Sequence, residues 1–241
     1  MDIYHQFIAK LKISLPSFND SASIMAVYLS GSVARGDYFV GASDIDIYVV
    51  CTDENSNLNI SFEKYAQQIA SEFLAEIMVW FPDVVSLAFT TYKDVKNGTS
   101  FLGKGPDYYG FINSAQLLYG KDLKEVIRKT EVTENEKIAT EVLKQAKEII
   151  SQDISDELLT KFFIRGVFSL VFTAVHSFLV LKRVYLRGKK QLVEELFSFD
   201  TVNGEKMQRI YVFWLAFAED TLTENDKLEL INLVKEVVSS F

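Results

Sequence analysis

Cysteine is almost missing from this 241-residue chain. Its one copy, Cys51, excludes an internal disulfide. A reducing, cytoplasmic setting is the resulting expectation. Histidine is equally scarce: His5 and His176 are too few and too isolated for a metal site or a serine triad. There is no Walker loop and no zinc pattern. Positive charge is short as well, with 25 Lys and Arg against 33 Asp and Glu, a net charge of −8. That argues against affinity drawn from non-specific phosphate contacts, so polynucleotide substrates are disfavoured. The opening residues, Met-Asp-Ile-Tyr-His-Gln-Phe, lack the charged-then-apolar architecture of a signal peptide. One apolar run, 162–181, is long enough to span a bilayer. It carries Arg165, Gly166 and His176, and a charge inside a span is costly. It is expected to be the buried central helix of a helical domain, not a membrane segment.

What is present is apolar: 49% of residues are hydrophobic and 13% aromatic, enough for a sizeable core. The chain is organised around the stretch from Met25 to Cys51. An apolar run, Met25 to Leu29, meets the small turn Ser30-Gly31-Ser32. Ser43-Asp44-Ile45-Asp46 then opens a second apolar run that ends at Cys51. The pattern reads as strand, tight turn, short helix or loop, strand. Alternation along the second strand puts Asp44, Asp46, Tyr48 and Val50 on one side and Ile45, Ile47, Val49 and Cys51 on the other. Two adjacent carboxylates at the start of a buried strand need a compensating cation. Mg²⁺ takes one or two carboxylates and completes its shell with water and substrate phosphates. Gly31 permits close backbone approach, and the Ser32 hydroxyl with nearby N–H groups can hold phosphate oxygens.

Gly31-Ser32, a spacer, then Asp44-x-Asp46 resembles the signature of the DNA polymerase β-type nucleotidyltransferase superfamily. Leu29 to Asp37 followed by Ser43 to Asp46 is most similar to its small bacterial branch, which includes the aminoglycoside nucleotidyltransferases. The resemblance implies an α+β fold: a catalytic domain with a small mixed sheet, followed by a helical bundle. It implies transfer of a nucleoside monophosphate from ATP or another NTP to a hydroxyl of a small molecule, such as an aminoglycoside-like antibiotic, with release of pyrophosphate. It implies two Mg²⁺ ions. The alternatives are a protein-modifying enzyme of the antitoxin kind and an inactive nucleotide-binding module. The acceptor, the preferred NTP and the oligomeric state are left open.

Residues 2–14 and 61–79 carry apolar residues at helical steps, and 84–92 is rich in strand-forming residues. With helices on one side of the sheet, these complete the first domain. The glycine-rich stretch 96–110 reads as a loop, and 111–119 as a short helix. The expected domains are 1–124 and 125–241, the second a bundle of four or five helices. Thr133 to Glu136 forms a capping-box pattern, and Ser155 can cap the following helix.

Polymerase β-type sites present a third carboxylate on a neighbouring strand. Asp83 is the best match for that catalytic and metal-binding role, with Asp94 a poorer one. Asp83 also reads as a plain turn acid behind Pro82. Arg35 either touches a phosphate or pairs with Asp37. Arg183, Arg187, Lys189 and Lys190 form a basic cluster, either cations at a helix C-terminus or a nucleotide contact, with Lys189 the best candidate. Glu136 and Glu141 are possible general bases by resemblance alone.

Overall fold

The computed structural model describes residues 1–53, 56–103, 105–127, 132–152, 159–186 and 188–241. They form two compact units, Met1–Thr130 and Glu131–Phe241.

The first unit is an α+β domain. Its elements are α1 (Ile3–Ser14), β1 (Ile24–Ser30), α2 (Gly31–Arg35), β2 (Ile45–Cys51), α3 (Ser56–Phe73), α4 (Ala75–Met78), β3 (Val85–Thr91), α5 (Tyr92–Asn97), α6 (Gly105–Ser114) and β4 (Gln116–Gly120). The sheet runs β3-β2-β1-β4. β1 is antiparallel to β2 and β4, whereas β2 and β3 are parallel. A parallel pair needs a crossover, and α3 with α4 supplies it.

One face of the sheet presents Val27, Leu29, Ile45, Ile47 and Val49 to Phe7 and Leu11 of α1 and Phe62, Ala66 and Ile69 of α3. The other presents Ala26, Tyr28 and Val50 to Val95 of α5 and Phe111 of α6. Helices therefore cover both faces, where one was expected. The difference lies in 92–114. Its glycines and Pro106 read as loop, yet Pro106 falls at the second residue of α6, where the missing N–H breaks no helical bond. Phe111 from that helix packs edge-on against Tyr28, ring centroids 4.8 Å apart. The expected helix over 111–119 is divided between the end of α6 and β4. Pairing with β1 decides the conformation of Gln116–Gly120, a tertiary choice that five residues do not encode locally.

The second unit is helical: α7 (Val132–Ile150), α8 (Lys161–Leu181), α9 (Lys189–Phe199), α10 (Thr201–Ala218) and α11 (Glu224–Ser240). α7 starts one residue ahead of the expected cap Thr133, and Ser155 lies outside the described residues. α8 is long and apolar enough to cross a membrane by length and composition. Here it buries Ile164, Phe168, Val171, Val175 and Leu179 and packs on α7, α9 and α11. Phe168 meets Trp214 of α10 edge-on at 5.3 Å. Thr160 caps α8 by accepting from the Phe163 N–H, and Thr223 with Asp226 forms a reciprocal capping box on α11.

α9 and α10 meet closely at Gly204. A Cβ there would lie 2.4 Å from the Phe197 Cα, a backbone atom that has no rotamer to escape into. Gly204→Ala is expected to destabilise the protein by about 1–3 kcal/mol. Urea denaturation followed by circular dichroism measures it.

Candidate active site

The site grows from the hand-over of β1 to α2. Gly31 adopts φ +67° there, a left-handed conformation that glycine takes without strain. A Cβ on Gly31 would sit 1.8 Å from Asp46 Oδ2 and 2.8 Å from its Cγ. The turn backbone therefore rests directly on the Asp46 carboxylate. The β1–β2 register explains the approach, since Ser30 pairs with Asp46. Ser30 and Ser32 are buried, while Asp44 and Asp46 are half-buried. Asp46 is the second residue of β2, and Asp44 lies one residue ahead of it.

The segment that delivers Asp44 is anchored from α1. The buried Tyr4 hydroxyl donates to the Ser43 carbonyl at 2.6 Å and accepts from the Gly41 N–H at 3.0 Å. Ser43 closes the same turn, its hydroxyl accepting from the Phe39 N–H at 3.1 Å. Tyr38 stacks on Tyr4 with centroids 5.7 Å apart, and its hydroxyl donates to the Asp2 carboxylate. Burial pushes the Asp2 carboxyl up. The hydrogen bonds from Tyr38 and from His5 outweigh it and bring the group to about 2. Sequence reasoning read α1 only as a packing helix. The one available signal was a tyrosine on its buried face.

Two half-buried carboxylates two residues apart at the head of β2, one of them beneath Gly31, suit one divalent cation, with the remaining ligands coming from water and phosphate. Asp83 does not supply the third acid. Asp83 is exposed in the turn before β3, behind Pro82. The partner of Asp46 across the parallel ladder is Ser86, and that of Tyr48 is Ala88. Among the described residues no group of three or more His, Cys, Asp or Glu is placed to hold a metal. Asp44, Asp46 and Asp83 therefore do not form the expected triad, because β3 begins at Val85, two residues beyond Asp83. Asp94 is engaged elsewhere. The Thr91 hydroxyl, then Thr99, holds its carboxyl below the usual range.

Residues 11–104 match the family model of the nucleotidyltransferase domain. The match takes in Gly31, Ser32, Asp44, Asp46 and β3, and it supports nucleotidyl transfer as the general activity. A comparison with curated proteins found no match.

In the first unit Arg35 is paired with Asp37, Nε to Oδ1 3.1 Å. The remaining candidate cations belong to the second unit. Lys189 Nζ lies 4.6 Å from the Trp214 ring centroid and 5.6 Å from that of Phe172, distances at which aromatic faces attract a cation. Arg183 pairs with Glu136 at 3.7 Å and Lys190 with Glu194 at 3.8 Å. Lys189 and Lys190 open α9, so the expectation of cations at a helix C-terminus does not describe them. Glu141 is exposed and accepts from Gln145, and Arg187 lies outside the described residues.

Two outcomes are expected. Gly31→Ala should destabilise the fold and displace Asp46. In Gly31→Ala/Asp46→Ala the atom that the new Cβ meets is gone. The double variant should then be more stable than the two single losses predict, with a coupling of about 0.5–3 kcal/mol in a urea-denaturation cycle. The Asp2 carboxyl is lower in the folded chain, about 2 against an ordinary 3.8. Its stabilisation is therefore present above pH 4 and lost as the pH falls from about 4 to 2. Tyr38→Phe should flatten that acid limb. Asp2 is over a third exposed, so the change at neutral pH should stay under about 1 kcal/mol.

Proposed function

We propose that the nucleotidyltransferase domain moves a nucleoside monophosphate, AMP from ATP or the equivalent from another NTP, onto a hydroxyl of a small molecule. An aminoglycoside-like antibiotic is the favoured acceptor class. The acceptor oxygen gives its proton to water and forms a bond to the α-phosphorus, the bond from that phosphorus to the bridging oxygen breaks, and pyrophosphate leaves. Asp44 and Asp46 are the residues that would hold Mg²⁺. Bound there, the ion would neutralise charge on the triphosphate and on the departing pyrophosphate.

The chain's own part is positioning. Gly31 keeps the turn low over Asp46, so a triphosphate can approach both the carboxylates and the turn. The buried Ser32 hydroxyl and the N–H groups around it are the proposed phosphate contacts. Arg35, now paired with Asp37, is a further proposed phosphate contact, and Lys189 is proposed as a nucleotide contact from the sequence alone. The seating of the Gly31 turn on Asp46 is the observation that carries this reading. The lack of a third carboxylate beside Asp46 among the described residues favours a second one, a domain that binds nucleotide without transferring it.

Pyrophosphate release with ATP and Mg²⁺, across a panel of aminoglycosides and other hydroxyl-bearing small molecules, separates the two readings. Acceptor-dependent release that falls about a hundredfold or more in Asp46→Ala is the expected result, a loss matching the several kcal/mol a metal contributes. ATP binding without release from any acceptor would support the second reading.

A further inference from the structure

The superfamily resemblance implies two cations, but the carboxylates on the sheet balance one. We infer that this site holds a single divalent cation with the triphosphate, and that Ser86 is the position that limits it to one. The inference rests on the reading of the first unit as a nucleotide site.

Two cations about 3.5–4 Å apart carry four positive charges between them. Like charges so close need anionic ligands on the protein as well as on the substrate. β2 offers Asp46, and the residue just before the strand is Asp44. Additional ligands on that face would come from β3, the strand hydrogen-bonded beside β2. In a parallel ladder, residues in register project to the same face. Asp46 faces Ser86, Tyr48 faces Ala88 and Val50 faces Thr90. None of the three β3 residues is anionic. Thr90 is already committed, its hydroxyl donating to Ser100 at 3.0 Å. The alternate β3 residues, Val85, Leu87 and Phe89, pack into the core under α1 and α3. β1, on the other side, brings Ser30 opposite Asp46 and Tyr48 opposite Tyr28. β3 thus gives the site no anionic ligand for a second cation and no carboxylate to accept a proton from the attacking oxygen.

The test counts cations directly. Mn²⁺ is titrated into the full chain with a saturating non-hydrolysable ATP analogue and followed by electron paramagnetic resonance. The analogue without protein serves as the blank. One Mn²⁺ per chain is expected in wild type, beyond what the free analogue holds, and none in Asp46→Ala. Ser86→Asp is expected to raise the count to two. Two ions in wild type, both lost in Asp46→Ala, would overturn this inference and leave the nucleotide-site reading standing. An equal count in wild type and Asp46→Ala would overturn both. The wild-type count decides the matter even where Ser86→Asp fails to fold.

Discussion

The first unit depends on one close approach: the backbone of Gly31 resting on the carboxylate of Asp46. Any side chain at position 31 would overlap Asp46 Oδ2, so residue type, turn conformation and acid placement are one constraint. That contact fixes how β1 hands over to α2 and where the half-buried acid can point. It also explains why a polar group is tolerated at the head of an apolar strand. A carboxylate drawn out of water needs donors or a cation, and the turn brings backbone to it.

The rest of the unit holds this contact still. β1 and β2 are antiparallel neighbours in the middle of the sheet, with β3 and β4 on the edges. The two residues in contact thus come from its most heavily packed part. α1 then fixes the other acid. The Tyr4 hydroxyl bridges Gly41 and Ser43, which leaves the residue before Asp44 little freedom. Two residues before Ser30 on β1 the Tyr28 hydroxyl accepts from the Leu123 N–H at 2.6 Å and donates to Asp122 at 3.0 Å. The two tyrosines differ in consequence: Tyr28 ties down the segment after β4, whereas Tyr4 ties down the approach to a proposed metal ligand.

Much of this was legible in the sequence because the signals are local. Gly31-Ser32 and Asp44-x-Asp46 stand between runs of strand period, and the stripe Phe62, Tyr65, Ile69 and Phe73 has helical period. The observed helix is α3, offset by a few residues from the expected 61–79. What was not legible depends on pairing across the chain. β4 is five residues that become a strand only against β1, and α6 hides behind a Gly-Pro start. The anchoring by Tyr4 joins positions 39 residues apart. No periodicity announces it.

The third acid shows the limit most sharply. By sequence Asp83 is the acid nearest to the start of the strand beside Asp46, and proximity made it the natural candidate. Register decides otherwise. A slip of one residue in a strand exchanges its two faces, and here the pairing sets Ser86, not an acid, opposite Asp46. Asp83 would have to move three residues along the ladder to stand there, and Pro82 beside it donates no ladder hydrogen bond. The composition of the segment therefore supplies a carboxylate, and its geometry withholds it. The chemistry open to this site follows from the residue that the ladder places beside Asp46.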